Sequence, residues 1–244
     1  MISAESDKLD LSNRQLASIP PKIWRNTSLH TLNLFRNELT CLPASIAQLR
    51  ELRVLIVANN QLRALPEEIG TLRCLRMLDA GHNLIADLPQ SFAGLHALTD
   101  YLYLHDNRLQ VLSDSIFESF IHLRYLNLGD NPLHGLPASL GALAKLEELR
   151  LENIGLKILP SFLGNLRALD ELALRNNRLA SLPNSLEKLH KLRHLDLRGN
   201  RFTQIPEVLR ALQKLHKLDL RWNDLRRIPT WLKELQARGC RVLL

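Results

Sequence analysis

Two histidines and two aspartates of this chain carry the chemistry to bind a metal ion or to transfer protons. Asp79 and His82 are followed by His105 and Asp106, at a spacing that could bring the four side chains together. Imidazole and carboxylate groups ligate transition metals and act as general acids and bases. The set has no third histidine at ligand spacing, so we interpret it as polar surface. A metal-dependent enzyme that uses these residues is kept as a remote alternative.

No other catalytic pattern is present in the sequence. None of the three cysteines stands beside a His–Asn or His–Asp pair, and the ten glycines are scattered rather than gathered in a phosphate-binding loop. Such loops and pairs are the usual sequence signs of phosphate binding and of nucleophilic catalysis. We therefore predict a protein that is not an enzyme and has no catalytic residue, no metal and no cofactor.

The histidines and aspartates belong to an internal repeat that runs through nearly the whole chain. The copy that begins at Leu192 follows the template LxxLxLxxNxLxxLPxxLxxLxx. A fixed period of this length indicates a repeat architecture. The positions aligned with Asn200 recur every 23 or 24 residues and define ten units: Arg14, Asn37, Asn60, Asn83, Asn107, Asn131, Ile154, Asn177, Asn200 and Asn223.

Each part of the template predicts a local structure. The LxL segment alternates with a period of two, which is typical of a short strand whose leucines face the core. The asparagine follows, and its amide can serve the buried backbone groups of neighbouring turns as both donor and acceptor. Nine of the eleven prolines lie six residues after this position. Proline there predicts a short outer helical turn with proline at its first position.

The spacing and the LPxxIxxL segment resemble the leucine-rich repeat proteins, in particular the 23-residue class of Ras-group intracellular and bacterial proteins. The resemblance covers about residues 9–237. It implies an α/β solenoid, a horseshoe with a curved parallel β-sheet on the concave face and short helical turns on the convex face. We expect one domain over residues 1–244, with a short N-terminal cap and a capping strand at 238–244. The resemblance also implies a scaffold that binds a protein partner, without naming it.

Composition limits the location and the partners. No signal peptide and no stretch of about 20 apolar residues is present, so we expect a cytoplasmic monomer without a membrane span. The net charge is +7, and residues 167–244 hold 17 Lys or Arg against 8 Asp or Glu. A basic end can attract acidic proteins, nucleic acid or anionic lipid. Nucleic acid is the least expected partner, because aspartates beside these arginines would repel phosphate.

The side chains that alternate with the buried leucines predict an aromatic zone on the concave face. Its members lie on units two to six and include all three tyrosines of the chain: Phe35, Val54, Ile56, Met77, Tyr101, Tyr103 and Tyr125, with His105 at its edge. Exposed aromatic side chains commonly anchor protein interfaces. The alternative is that the rings pack against one another only to stabilise adjacent strands.

The same columns predict a charged zone on units seven to ten. It contains Glu148, Arg150, Glu152, Glu171, Arg175, His194, Asp196, Arg198, Lys217, Asp219 and Arg221, with Trp222 at its rim. The predicted protein-binding residues here are Arg150, Arg175, His194, Arg198, Arg221 and Trp222. Charge pairing across neighbouring strands would contribute only about 0–1 kcal/mol per pair. A site for an acidic partner and a self-paired charge mosaic both stay open.

Three regions depart from the template. In the fifth unit Ser113 replaces proline, and residues 114–120 suggest a longer, more helical outer face. In the seventh unit Ile154 takes the asparagine position and Asn153 stands one place early, which predicts a kink or a rearranged turn. At the N-terminal end we expect Ile2 and Trp24 to cover the first unit.

The sequence therefore predicts a non-catalytic protein-interaction scaffold that binds its partner on the concave face and acts in intracellular signalling. A bacterial effector that binds a host protein, and a regulatory subunit of a phosphatase or GTPase complex, are the alternatives.

 The sequence identifies neither the partner nor the signalling pathway.

Overall fold

The computed structural model describes residues 7–244, which form one curved sheet of eleven parallel strands arranged in chain order. Ile2, expected at the N-terminal end, lies outside these residues. Neighbouring strands pair at equivalent repeat positions, for example Leu195 with Leu218. The strands are β1 Lys8–Asp10, β2 Thr31–Asn33, β3 Val54–Ile56, β4 Met77–Asp79, β5 Tyr101–Tyr103, β6 Tyr125–Asn127, β7 Glu148–Arg150, β8 Glu171–Ala173, β9 His194–Asp196, β10 Lys217–Asp219 and β11 Arg241–Leu243.

Short helical turns lie on the side opposite the sheet, as the family resemblance implies. The repeat proline is the N-cap of the 3-10 turns and not their first helical residue, which corrects the prediction. Pro183, for example, has an extended conformation (φ −70°, ψ 146°), and its carbonyl oxygen accepts the Leu186 N–H at 3.1 Å. In the first turn a second proline, Pro21, follows the N-cap Pro20. The 3-10 helices are Pro21–Arg25, Ala44–Gln48, Glu67–Thr71, Gln90–Gly94, Ala138–Ala142, Ser161–Asn165, Asn184–Lys188 and Glu207–Ala211, and α1 is Leu232–Ala237.

Buried asparagines connect the turns that follow successive strands. Asn60 Nδ2 donates to the carbonyl oxygens of Leu34 and Val57, both at 3.0 Å, and Asn60 Oδ1 accepts the Leu39 N–H at 3.0 Å. One amide thus serves its own turn and the turn of the preceding unit, which confirms the predicted ladder. The same arrangement recurs at Asn37, Asn83, Asn107, Asn131, Asn177, Asn200 and Asn223.

The residue before each ladder position has a left-handed backbone conformation. Its φ lies between +50° and +63° in all ten units: Asn13, Arg36, Asn59, His82, Asp106, Asp130, Asn153, Asn176, Gly199 and Trp222. Asparagine tolerates this conformation better than other residues with a Cβ atom. Asn13 and Asn153, which stand one place before a ladder position that is not asparagine, therefore occupy the position where the backbone favours asparagine.

The seventh unit has the rearranged turn that its sequence predicts. Ile154 is buried and carries no amide, so the Leu133 N–H donates instead to the Asn131 carbonyl oxygen at 2.9 Å. Gly155 has a positive φ of +77° one residue after the ladder position. Gln15 has a φ of +54° at the equivalent place in the first unit, where the ladder position is also not asparagine.

The fifth unit does not have the more helical outer face that we predicted. Residues 114–119 form consecutive turns, and no helix is assigned to them. Their backbone bonds run from Ile116 N–H to the Ser113 oxygen, and from Glu118 N–H to the Ser115 oxygen. These bonds start two residues apart, whereas a helix needs a bond from each successive residue. Phe117 and Phe120 are fully buried and hold the segment against the core.

The core is a continuous column of leucine side chains between the sheet and the helical turns. Trp24 and Ile23 are buried near the N-terminal end, and Trp231, Leu232 and Leu235 are buried near the other end. The final strand β11 pairs with β10, with Cys240 buried and Val242 packed against the core. Within residues 7–244, no helix is both long and apolar enough to cross a membrane.

Candidate functional site

The concave face of the sheet presents the three columns of side chains that the repeat predicts. In most strands the central leucine is buried, while the first and third residues are partly exposed on the opposite face. The strand pairing places the first residues in one row, from Lys8 through Tyr101 and Tyr125 to Lys217. Because every pairing joins equivalent positions, neighbouring side chains in a column lie on adjacent strands.

The aromatic zone is centred on three tyrosines that contact one another. Tyr101 and Tyr125 occupy equivalent positions on β5 and β6, with ring centroids 5.5 Å apart. Tyr103 stacks on Tyr101 at 5.9 Å and lies 4.7 Å from Tyr125. Tyr101 is 45% exposed, whereas the other members of the zone, Phe35, Val54, Ile56, Met77, Tyr103 and Tyr125, are half-buried.

Tyr103 and Tyr125 remain neutral at physiological pH and can donate hydrogen bonds. Burial raises the pKa of Tyr125 well above its ordinary value, and burial also raises the pKa of Tyr103. Tyr101 and Tyr125 line a depression of about 360 Å³ together with Arg124 and Glu147. Arg124 Nη2 contacts Glu147 Oε2 at 2.8 Å at the rim of this depression. The depression thus combines two tyrosine rings with charged side chains.

The histidine–aspartate group extends the aromatic zone along the same face. His105 lies 6.0 Å from the Tyr103 ring and 4.6 Å from the His82 ring, measured between centroids. The two Nε2 atoms are 3.2 Å apart, and His82 Nδ1 lies 2.6 Å from Asp106 Oδ2. Gly81 permits this arrangement, because a Cβ atom there would lie 2.4 Å from the His105 ring.

Burial shifts the titration of two members of this group. It lowers the pKa of His105, with the nearby His82 acting in the same direction. Burial also raises the pKa of Asp79, against the opposing hydrogen bond from the Gly81 N–H. Among residues 7–244, no three His, Cys, Asp or Glu side chains converge in an arrangement that could hold a metal ion.

The arginines of the last two regular units are neutralised mainly within their own strands. Arg198 Nε donates to both carboxylate oxygens of Asp196, at 2.9 and 3.0 Å. Arg221 binds Asp219 in the same way, through Nε at 2.9 Å and Nη2 at 2.8 Å. For these two arginines the predicted pairing across strands is a weaker contact, 3.5 Å between Arg198 Nε and Asp219 Oδ2.

The pairing with Arg221 explains why the pKa of the buried Asp219 is lowered. Asp219 is only 1% exposed, and burial by itself acts to raise its pKa. Hydrogen bonds from the Arg221 side chain and backbone outweigh this effect and hold the pKa of Asp219 below its ordinary value. The hydrogen bond that Arg198 donates to Asp196 likewise raises the pKa of Arg198. Asp219 and Arg221 therefore form an ionised pair at physiological pH.

Arg150 is shared among the acidic side chains of the seventh and eighth units. Its Nε lies 2.6 Å from Glu148 Oε1, and its Nη2 lies 3.5 Å from Glu171 Oε1. Glu152 is farther away, at 3.8 Å from Arg150 Nη1, and burial raises the pKa of Glu152. The charges of this part of the face are thus largely matched, with Glu152 the least well compensated of the three glutamates.

Arg175 and His194 line a depression of about 380 Å³ in the middle of the charged zone. The Arg175 Nε atom is shielded from solvent and has no hydrogen-bond partner. Glu152 attracts this guanidinium electrostatically, but no carboxylate of the described residues lies within ion-pair distance of it. Arg175 therefore differs from its neighbours Arg198 and Arg221.

Trp222 is placed at the rim of the charged zone in an unusual conformation. Its indole is 69% exposed, and its backbone is left-handed with a φ of +62°, which is rare for a bulky side chain. The Arg198 and Arg221 guanidinium carbons lie 5.9 and 5.6 Å from the centre of the ring. These distances fit cation–π contacts, which place the indole beside the arginine row.

All the predicted binding residues lie on this face or its rim, and they form two adjoining zones that meet where Tyr125 pairs with Glu148. Sequence reasoning did not single out Gly81 or Ala173. Both are small residues in columns that mostly hold larger side chains. The structure shows that the neighbouring His105 fills the space at Gly81, whereas a depression remains at Ala173.

Comparisons with known proteins agree with this architecture. The family model for the leucine rich repeat matches residues 7–62, 99–153, 157–202 and 167–225. These segments cover most of the chain. The chain belongs to the leucine-rich repeat family. Assignment to the 23-residue class stays a prediction. No curated protein matches the sequence at a significant level.

Solved structures of leucine-rich repeat proteins and receptors are similar to the chain over nearly its whole length. A Leptospira interrogans leucine-rich repeat protein is 31% identical with a TM-score of 0.90, and the match covers 98% of this chain. A TDR receptor is 30% identical with a TM-score of 0.86, again over 98% of this chain. The Arabidopsis receptor kinase HAESA, solved with the peptide hormone IDA and the co-receptor SERK1, is 27% identical with a TM-score of 0.77 over 89% of this chain.

The chain is shorter than each of these proteins. The matches span 66% of the Leptospira chain, 43% of the TDR receptor chain and 38% of the HAESA chain. The similarity therefore concerns the repeat scaffold, and leucine-rich repeats generally form a non-catalytic interaction fold.

Proposed function

We propose that the concave face binds a protein partner, with Tyr101, Tyr103 and Tyr125 as the anchor and the charged zone as the determinant of specificity. The observation that carries the proposal is the cluster of all three tyrosines on two adjacent strands, with Tyr101 exposed at its centre. Tyrosine supplies a large apolar surface and a hydroxyl group, which is why it is enriched at interfaces.

Packing between the rings does not by itself account for the cluster. The strands already share the buried leucines Leu102 and Leu126, which are paired and fully inaccessible. A ring that served only to hold strands together gains most when it is covered, yet Tyr101 remains open to solvent. The depression beside Tyr101 and Tyr125 offers room for a partner side chain.

The similar receptors support a polypeptide as the class of partner. HAESA is described in complex with a peptide hormone, and RGFR1, which is 25% identical, in complex with RGF2. We infer for this chain a binding role without catalysis, carried out as a monomer in the cytoplasm and in signalling. A regulatory subunit of a phosphatase or GTPase complex, or an effector that binds a host protein, would use the same face.

The test is affinity capture from cytosol with the full chain as bait, followed by mass spectrometry. The wild type is compared with Tyr103→Ala/Tyr125→Ala and with Arg198→Ala/Arg221→Ala, each checked for folding by circular dichroism. We expect the tyrosine pair to lose the partner, because it removes the anchor, and the arginine pair to weaken or change selection.

Two controls separate surface from fold. Tyr103→Phe/Tyr125→Phe keeps the rings and should retain most of the partner. Ile158→Ala changes a side chain that is 80% exposed and lies outside the concave columns, so it should capture normally. If both folded alanine pairs still capture the same partner as wild type, the concave face is not the binding surface.

A further inference from the structure

The charged zone contains one arginine whose usual acidic partner is missing. In β9 and the residues after it, Asp196 is followed two residues later by Arg198, and in β10 Asp219 is followed by Arg221. In both cases the aspartate binds its arginine side-on. The equivalent positions of the eighth unit are Ala173 and Arg175. The eighth unit thus has the arginine without the aspartate.

The missing carboxylate leaves both an unsatisfied group and a space. In Arg198 and Arg221, Nε is the atom that donates to the aspartate. In Arg175 the same atom is buried without a partner. A buried N–H donor without an acceptor raises the free energy of the folded protein. A ligand that supplies an acceptor to this N–H therefore gains binding free energy. The depression of about 380 Å³ lies over Ala173 and is lined by Arg175.

The surrounding charges select the kind of group that fits. Four carboxylates also line the depression, those of Glu152, Glu171, Asp196 and Asp219. Their negative charge disfavours an anion with a double charge such as phosphate. Lys217 also lines the depression and adds a basic group to it. A single carboxylate matches the planar, two-donor edge of a guanidinium.

We propose that the hollow over Ala173 receives the carboxylate of an aspartate or glutamate side chain from the protein partner, which binds Arg175 as Asp196 binds Arg198. This inference rests on the proposed function, because it names the chemistry of one partner residue. The partner would thus supply the carboxylate that the ninth and tenth units carry as Asp196 and Asp219 and that the eighth unit lacks at Ala173.

The first test uses N-acetyl-glutamate methylamide as the probe and N-acetyl-glutamine methylamide as its neutral match. Their binding is followed in ¹H–¹⁵N NMR spectra through the Arg175 Nε–H signal and the backbone amides of residues 173–176. We expect a saturable shift with the glutamate probe and none with the glutamine probe. An equal response to both probes, or no response to either, overturns the proposal.

Three variants make the test specific. Ala173→Asp restores the aspartate of the neighbouring units, so the Arg175 signal should move toward those of Arg198 and Arg221 and stop responding to the probe. Ala173→Ser is small and neutral and should respond like the wild type. Arg175→Gln should lose the response of the backbone amides, which keeps the test decisive if Ala173→Asp folds poorly. A wild-type response from Ala173→Asp or Arg175→Gln contradicts the assignment.

Affinity capture distinguishes this inference from the proposed function. We expect Ala173→Asp to lose the partner that the wild type captures, although the tyrosines are unchanged. If Ala173→Asp captures the partner as well as the wild type does, the carboxylate site is wrong while the concave-face proposal stands. If the tyrosine and arginine pairs also capture it normally, the proposed function fails as well.

Discussion

At the scale of single residues, the asparagine ladder shows how one side-chain type meets a demand that the backbone creates. Each turn buries N–H and C=O groups between layers, where no water reaches them. The amide of Asn177 accepts the Leu156 N–H at 2.9 Å and donates to the Leu151 oxygen at 2.8 Å. Ile154 shows that a unit can dispense with the amide only when its turn is rebuilt.

Replacing Asn177 by leucine should therefore destabilise the protein. The Leu156 N–H and the Leu151 carbonyl oxygen would lose their partner inside the core, and we expect a loss of about 1–3 kcal/mol in the free energy of unfolding. Denaturant unfolding followed by circular dichroism measures it. Asn165→Leu is the matched control, since Asn165 is exposed in the outer turn of the preceding unit. Equal losses in the two variants would contradict the role given to the amide.

His105 gives a second residue-scale prediction, which concerns pH. Burial lowers its pKa below the ordinary value of 6.5, so the folded protein holds the neutral ring more firmly than the unfolded chain does. The resulting stability is present above that ordinary value and is lost as pH falls below it. The groups that face the ring are His82, Asp79, Asp106 and Asp130.

We expect the stability of the wild type to fall relative to His105→Gln as pH decreases from about 7.5 to about 5.5. Asp79 contributes to the pH dependence of stability with the opposite sign. Burial raises its pKa, so protonation of its carboxylate at lower pH favours the folded state. Parallel unfolding curves at each pH give the difference. A difference that stays constant over this range would show that His105 does not titrate differently in the folded state.

At the scale of elements, proline at the N-cap explains the regularity of the outer turns. Its restricted φ suits the extended residue that precedes each 3-10 helix, and its carbonyl accepts the N–H three residues on, which closes the first hydrogen-bonded turn. In the fifth unit Ser113 performs the second task, since its carbonyl oxygen accepts the Ile116 N–H at 3.1 Å, but serine does not restrict the unfolded chain.

Ser113→Pro should consequently stabilise the protein by about 0.4–1 kcal/mol, chiefly by limiting the conformations of the unfolded chain. The measurement is the shift of the denaturant midpoint at an unchanged slope. Ser113→Ala is the control for loss of the hydroxyl, which lies 3.1 Å from the Ser115 hydroxyl. A destabilised proline variant would mean that the backbone at Ser113 differs from that of the other units.

The elements differ in how far the sequence could predict them. Strand positions followed from the leucine spacing, because a leucine must face the core in every layer and one repeat sets the register of all. The turns of residues 114–119 did not follow, because apolar residues such as Phe117 fit a turn and a helix equally well. The partner of Arg198 depends on side-chain conformation: Asp196 and Asp219 are both in reach, and the structure favours Asp196.

At the scale of the whole molecule, stability is built from contacts between neighbouring units. Strands pair only with their sequence neighbours, so each layer is held by the layers on its two sides. A defect in one layer should therefore weaken that layer first. This organisation also lets the concave columns vary from unit to unit, because their side chains are not needed for the core.

Leu174→Ala tests this organisation. Leu174 is fully buried in a central layer, and its truncation should cost about 2–5 kcal/mol. We expect hydrogen exchange to rise in the seventh, eighth and ninth units and to change least in the first. Ile158→Ala, at a highly exposed position of the same region, should leave the exchange pattern unaltered. A uniform increase along the chain would indicate that all units unfold together.

The left-handed residue before each ladder position has a consequence for chirality. A backbone with a φ near +60° is strained for an L-residue but ordinary for its mirror image. Gly199, with a φ of +63°, cannot readily accept an L-side chain, because an L-Cβ atom would lie 2.4 Å from the Asn176 amide oxygen. D-alanine introduced there by chemical ligation would point its methyl group elsewhere. The horseshoe is thus a protein of L-residues that contains, once in every unit, a place suited to a D-residue.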